Sequence, residues 1–317
     1  MMPSIAGIGE WHCPEFSPLI PSDKKETADN LTLTTGTSHS ITSGVEHSMM
    51  AWSQTLATPP TDLMSLAPIP LPELVEPIAT ATVSPATGSQ LYAQRRAALH
   101  AGTTYTRVSP DSFYDQWFSA TTQPTYQDWV NLLTQEANAV GSGQGSNQLT
   151  VLLGDSLSLW FPVDQLPSDR LWLNQGISGD TSTGVLNRIS VLKAVQPTTI
   201  HLMVGINDLR HGVSDDVLVG NIQSIVQQLQ QDHPDAKIVV HSILPTRLPA
   251  IPTSHITALN QRIEAIAEQQ GVYYLNLQDS FLDTAGILNR DFTTDGIHLS
   301  DRGYAVWQSA LRLFNLA

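Results

Sequence analysis

Leu149-Thr150-Val151-Leu152-Leu153, halted by Gly154-Asp155-Ser156, is the stretch on which the fold turns. Five apolar or β-branched residues closed by a glycine and an aspartate are too few for a helix. They read as a short strand buried on both faces. Runs of the same kind recur at Leu171–Leu173, Thr199–Val204, Lys237–Ile243 and Val272–Leu277. Amphipathic stretches separate them, with apolar residues at helical spacing over Val217–Leu229 (Val217, Leu218, Ile222, Ile225, Val226, Leu229) and Ile256–Ile266; a last one closes the chain at Tyr304–Phe314. Strands alternating with helices of this length predict right-handed βαβ units and a parallel sheet covered on both faces.

Five such strands within 148–317 imply an α/β fold, a three-layer flavodoxin-like sandwich around a five-stranded parallel sheet. In open parallel sheets ligands bind beyond the carboxyl ends of the strands, so the residues just after each strand carry the weight. These are Gly154-Asp155-Ser156-Leu157-Ser158, then Asn174-Gln175-Gly176-Ile177-Ser178-Gly179-Asp180, then Gly205-Ile206-Asn207-Asp208, and beyond the fifth strand Asp295-Gly296-Ile297-His298-Leu299. A serine hydroxyl is a weak nucleophile that needs a general base. His298 is the candidate base, because a neutral imidazole takes up and returns a proton near neutral pH. Asp295, three positions earlier, can turn back to the other ring nitrogen and fix the tautomer, with Gly296 permitting the tight turn. Taken singly, each residue has a plainer reading: Ser156 as a helix N-cap, Asn207 as a turn residue, His298 as a half-buried polar side chain. Asp155 and Asp208 are read as structural, bonding to loop amides, and Asp180 as the N-cap of the following helix.

Taken together, GDSL at 154–157, Gly179 within GISGD, GIND at 205–208 and DGIH at 295–298 resemble the four signature blocks of the SGNH/GDSL hydrolase family, in its order and spacing. The resemblance covers roughly 150–317. Asn174, Leu244-Pro245 and the HLSDRGY stretch at 298–304 look closest to the branch that holds the platelet-activating-factor acetylhydrolase catalytic subunits and related bacterial lipases. It implies the SGNH hydrolase fold and a serine esterase with Ser156, Asp295 and His298 as catalytic residues. It also implies an oxyanion hole built from the backbone N–H groups of Ser156 and Gly179 and the side-chain amide of Asn207. No cofactor and no metal are implied. The expected substrate is a small-molecule or lipid ester with a short- to medium-chain acyl group. The alternatives are a carbohydrate O-acetyl ester, an acyl transfer by the same residues, or a domain that only binds esters. Leu157, Leu159, Trp160, Phe161 and Pro162 are candidates for an apolar wall of the pocket, and Arg210 and His211 for its rim.

Composition excludes other classes. The net charge of the 317 residues is −14, and both 1–147 (13 acidic, 5 basic) and 148–317 (16 acidic, 10 basic) are acidic, so no basic face is available for nucleic acid. A single cysteine, Cys13, excludes an intrachain disulfide. The other histidines of 148–317 (His201, His211, His233, His241, His255) show no metal-ligand spacing. No secretory leader and no membrane-spanning apolar run is seen, so a cytoplasmic protein is expected. Residues 1–89, rich in Ser, Thr and Pro over Ser17–Gly88, read as a low-complexity disordered extension that can tether an unknown partner. Residues 90–147 read as a helical segment with two expected helices. One runs over Leu91–Leu99; the other opens at a Thr125/Asp128 capping box and carries an apolar stripe that includes a core-packing Trp129. Gly141-Ser142-Gly143-Gln144-Gly145-Ser146 reads as a flexible linker, and 148–317 as the catalytic domain.

Overall fold

The five apolar runs form one sheet in the order β2-β1-β3-β4-β5, with every neighbouring pair parallel. The strands are β1 (Leu149–Gly154), β2 (Leu171–Gly176), β3 (Thr199–Met203), β4 (Lys237–His241) and β5 (Tyr273–Leu275). This computed structural model describes residues 83–316, all within the unit Met64–Ala317. Of the expected disordered extension 1–89, residues 1–82 lie outside the described residues, whereas its end is ordered: Thr87 caps a helix that begins at Gly88. Helices α1 (Gly88–His100), α2 (Tyr114–Trp117) and α3 (Tyr126–Gly143) precede β1. Then come α4 (Ser156–Leu159), α5 (Ser182–Arg188), α6 (Ile206–Arg210), α7 (Asp215–Asp232), α8 (Thr253–Gln270), α9 (Gln278–Phe281) and α10 (Asp301–Leu316).

Side-chain alternation along the strands divides the core into two layers. Leu149, Val151 and Leu153 of β1, with Ile200, Leu202, Ile238 and Val240, pack against the apolar stripes of α7 and α8. Leu152, Trp172, Met203 and Val239 face the other way, onto Tyr304, Trp307, Leu311 and Phe314 of α10. The expected three-layer α/β sandwich is therefore the observed one. Strand order reverses between β1 and β3, so the residues after these two strands flank the point where such sheets bind ligands.

The segment before β1 covers the open edge of the sheet. Thr106 Oγ1 donates to the Trp172 carbonyl at 2.8 Å and Arg95 Nη2 to the Asn174 carbonyl at 2.8 Å. These outward carbonyls of the edge strand would otherwise lack partners. Arg95 also pairs with Glu136 of α3, both side chains buried. Leu91, Ala98, Trp129, Leu132 and Leu133 close a third apolar cluster with Leu159 and Ile177. Trp129 is thus core, packed edge-to-face with Tyr92. The capping box at Thr125 and Asp128 is formed.

The glycine-rich stretch after it is not a flexible linker over its first part. Helix α3 continues through Gly143, and a Cβ at Gly141 would overlap the Ala194 carbonyl. Gln144 then bonds both ways to the backbone of Gln196. The glycine at 141 serves close packing of a helix, a use that composition does not distinguish from flexibility.

Candidate active site

Each of the four polar clusters follows or closes a β-element, and local chemistry sets each one. Asp155 caps α4, accepting the Leu157 N–H at 2.9 Å, so Ser156 opens that helix. The first N–H groups of a helix have no intrahelical acceptor. Ser156 itself is buried to 5% exposure. Tyr304 of α10 donates to the Leu157 carbonyl at 3.1 Å and pins the same turn from beneath.

His298 arrives from a turn built by its own neighbours. Asp295 Oδ1 accepts the N–H groups of Ile297 and His298 at 2.9 and 2.8 Å, and Gly296 takes φ +96°. Thr293 Oγ1 accepts the Gly296 N–H and donates to the His298 carbonyl. The second carboxylate oxygen of Asp295 lies 2.6 Å from His298 Nδ1, and His298 Nε2 lies 3.1 Å from Ser156 Oγ. Burial alone would raise the Asp295 carboxyl. The hydrogen bonds from the His298 ring and backbone, with the charge of the imidazolium, outweigh it and hold the group at about 2. The sequence-predicted hydroxyl, imidazole and carboxylate therefore stand in one line of hydrogen bonds. That order lets a proton leave the hydroxyl and be stabilised on the ring.

Gly179 sits third in a four-residue turn closed by the Asp180 N–H on the Ile177 carbonyl, at φ +79°. A turn of that shape needs a glycine there. No atom lies within 4 Å of where its side chain would project. Asn207, in the first turn of α6, is buried. Its Nδ2 donates to the Asp180 carbonyl at 3.0 Å and its Oδ1 accepts from Arg210 at 3.1 Å. The cation on Oδ1 fixes which end of the amide donates, and one of the two N–H bonds is used on Asp180.

Two expectations change. Asp180 does not cap α5: Thr181 does, through Gly184 N–H, and Asp180 instead pairs with Arg188 at 2.7 Å. Leu157 and Phe161 belong to the core beneath α10 and Leu159 to the cluster under α1 and α3, so they do not line a pocket. Arg210 is exposed beside Asn207, and it also holds that amide through its bond to Oδ1. Asp155 and Asp208 accept backbone and hydroxyl hydrogens as expected, Asp208 from both N–H and Oγ of Ser182. Burial pushes the Asp155 carboxyl up to about 7, against the pull of the Leu157 N–H and His298.

One pair escaped sequence reading. His201 Nδ1 and His241 Nε2 lie 2.9 Å apart, both rings buried on adjacent strands under α10. Forty residues separate them, and only strand register brings them together.

The sequence model of the GDSL-like Lipase/Acylhydrolase family matches residues 111–306. The chain belongs to that family. Its members are hydrolytic enzymes acting on esters, and the chain is one of them. Among curated relatives, the platelet-activating factor acetylhydrolase IB subunit alpha1 of Pongo abelii is 29% identical over 171 residues, 49% of this chain and 70% of that one. The alpha2 subunit of Mus musculus is 31% identical over 137 residues, 42% of this chain and 59% of that one. Among solved structures, a protein from Streptococcus pneumonia described as a platelet activating factor superposes with a TM-score of 0.53 at 24% identity. The match covers 59% of this chain and 93% of that one. A GDSL-like lipase from Bacteroides thetaiotaomicron gives 0.50 at 22%, over 59% and 97%. These two likenesses show the GDSL hydrolase fold. Among the described residues, no helix of this GDSL-like hydrolase is long and apolar enough to cross a membrane.

Proposed function

We propose that the protein is a serine carboxylesterase that works through an acyl-enzyme on Ser156. The hydrogen-bonded line Asp295–His298–Ser156 carries the reading. His298 takes the Ser156 proton as Oγ attacks the ester carbonyl, Asp295 holds the ring and stabilises its charge, and the alcohol leaves with that proton. Water then repeats the sequence and releases the acid. The backbone N–H groups of Ser156 and Gly179 and the amide of Asn207 receive the oxyanion. All of these residues lie within 148–317, and we take that segment together with the helices before β1, which close its sheet edge, as the catalytic unit.

The substrate we favour is an ester of a short acyl group on a lipid or small alcohol. Two observations support it: relatives are named acetylhydrolases, and of the apolar residues after the nucleophile Leu157, Leu159 and Phe161 are consumed by the core, which leaves only the partly buried Trp160 and Pro162 to enclose a chain. The test is turnover of p-nitrophenyl acetate, butyrate and octanoate, with a fluorophosphonate adduct mapped by mass spectrometry. Acetate and butyrate should lead, with the adduct on Ser156. An adduct elsewhere overturns the mechanism, octanoate preference overturns the substrate class, and acceleration by an added alcohol acceptor points to acyl transfer.

A further inference from the structure

Three oxyanion donors on three separate loops need a common frame, because backbone N–H groups cannot re-aim by changing rotamer. The geometry points to Arg188, at the end of α5, as the positioning residue that sets their spacing. This rests on the oxyanion assignment made above.

The buried Arg188 guanidinium donates from Nη2 to the Gly154 carbonyl at 2.9 Å and from Nε to Asp180 Oδ2 at 2.7 Å. Gly154 ends β1, two residues before Ser156, and its carbonyl also accepts the Ile177 N–H that begins the Gly179 turn. Asp180 directly follows Gly179, and its own carbonyl receives the Asn207 amide. One planar fork thus holds the Ser156 and Gly179 loops directly and the Asn207 loop through one peptide. The carboxylate is seated tightly: a Cβ at Gly184, one turn before Arg188, would overlap Asp180 Oδ1, so α5 is cut away to admit it. Tyr126 of α3 and the Thr181 N–H approach that same oxygen. A buried ion pair is a poor source of stability compared with apolar residues of equal volume. What the fork supplies is direction, fixed in a plane that lysine cannot reproduce. A displacement near 1 Å of a reacting group costs on the order of 10²-fold in rate, which makes such direction worth its burial.

The experiment uses the full chain carrying R188K, R188M or G184A, alone and combined with N207A. Turnover of p-nitrophenyl acetate is normalised to the fraction of sites labelled by fluorophosphonate, and thermal unfolding is followed in parallel. R188M should lower kcat per active site about 10- to 100-fold with KM within threefold, R188K should lose less, and G184A should resemble R188M by displacing Asp180. In the double variant the losses should be less than multiplicative, because both act on one set of donors. A merely structural role leaves kcat per labelled site unchanged, or makes the two losses multiply; either result overturns the proposal. If R188M does not fold, R188K and G184A decide by the same criteria. Loss of kcat in N207A with none in the Arg188 variants sinks the positioning role alone, whereas an unchanged kcat in N207A sinks the oxyanion assignment beneath it.

Discussion

The Ser156 hydroxyl oxygen lies 3.1 Å from His298 Nε2, although 142 residues separate the two in the chain. If this contact is the nucleophile–base bond, S156A and H298A each lose ~10⁴-fold or more in kcat on p-nitrophenyl acetate, and combining them costs little further. D295N keeps the loop's backbone acceptor but presents the wrong partner to Nδ1, and should lose ~10²–10⁴-fold. Thermal unfolding of S156A and H298A should stay within about 1 kcal/mol of the parent chain. An S156A chain that still turns over with a normal rate would remove the nucleophile from this position.

Asn207 offers one amide hydrogen beyond the one bound to the Asp180 carbonyl. A donor that acts on developing negative charge is felt in the transition state more than in the ground state. N207A should therefore lower kcat ~10²–10³-fold with KM nearly constant. A rise confined to KM would make Asn207 a ground-state contact.

The sheet and its loops were legible because burial on both faces leaves short apolar runs, and topology then dictates where the intervening polar residues gather. Ser156, Gly179, Asn207 and His298 were singled out by that rule together with the motif blocks. The braces were not legible. Arg188 lies eight residues beyond Asp180, an unremarkable helical arginine until α5 turns it toward Gly154. His201 and His241 meet only through strand register, and Arg95 reaches β2 across 79 residues. Gly141 was misread because a glycine that admits a neighbour's carbonyl and a glycine that loosens a linker are spelled alike.

Asp155 is fully buried, with one carboxyl oxygen lacking a protein partner, and burial pushes its pKa up to about 7. Its unfolded value is ~3.9. Between these values the folded chain keeps a proton that the unfolded chain gives up, so this group's contribution falls as pH rises from about 4 through 7 and is flat above. D155N mimics the protonated acid and lacks that loss. Its stability relative to the parent should climb across pH 4–7 by about 2–4 kcal/mol. Denaturant unfolding at pH 5 and 8 checks this, and an unchanged difference between the two would mean that Asp155 is ionised throughout.

Burial holds His201 down to about 3 and His241 well below the usual imidazole range, with Arg170 and His201 respectively adding charge repulsion. As pH falls below ~6.5 the unfolded chain takes up protons that the folded pair refuses, so stability is lost on the acid side. The slope is about 1.4 kcal/mol per pH unit for each imidazole. A chain carrying H201L and H241L together should lack that part of the slope between pH 6.5 and 4. An identical acid slope in both proteins would place the responsible groups elsewhere.

The helices before β1 complete the sheet rather than decorate it. Thr106 and Arg95 satisfy the Trp172 and Asn174 carbonyls on the edge strand, and Leu159 and Ile177 are covered by α1 and α3. A chain beginning at residue 148 would expose both the carbonyl row and that apolar cluster, inviting edge-to-edge pairing. It should express as aggregate, while E136Q in the full chain, which leaves the buried Arg95 charge without its counter-ion, should lose roughly 3–5 kcal/mol and remain soluble. A soluble, active 148–317 fragment would show that the edge tolerates exposure and that these helices are dispensable.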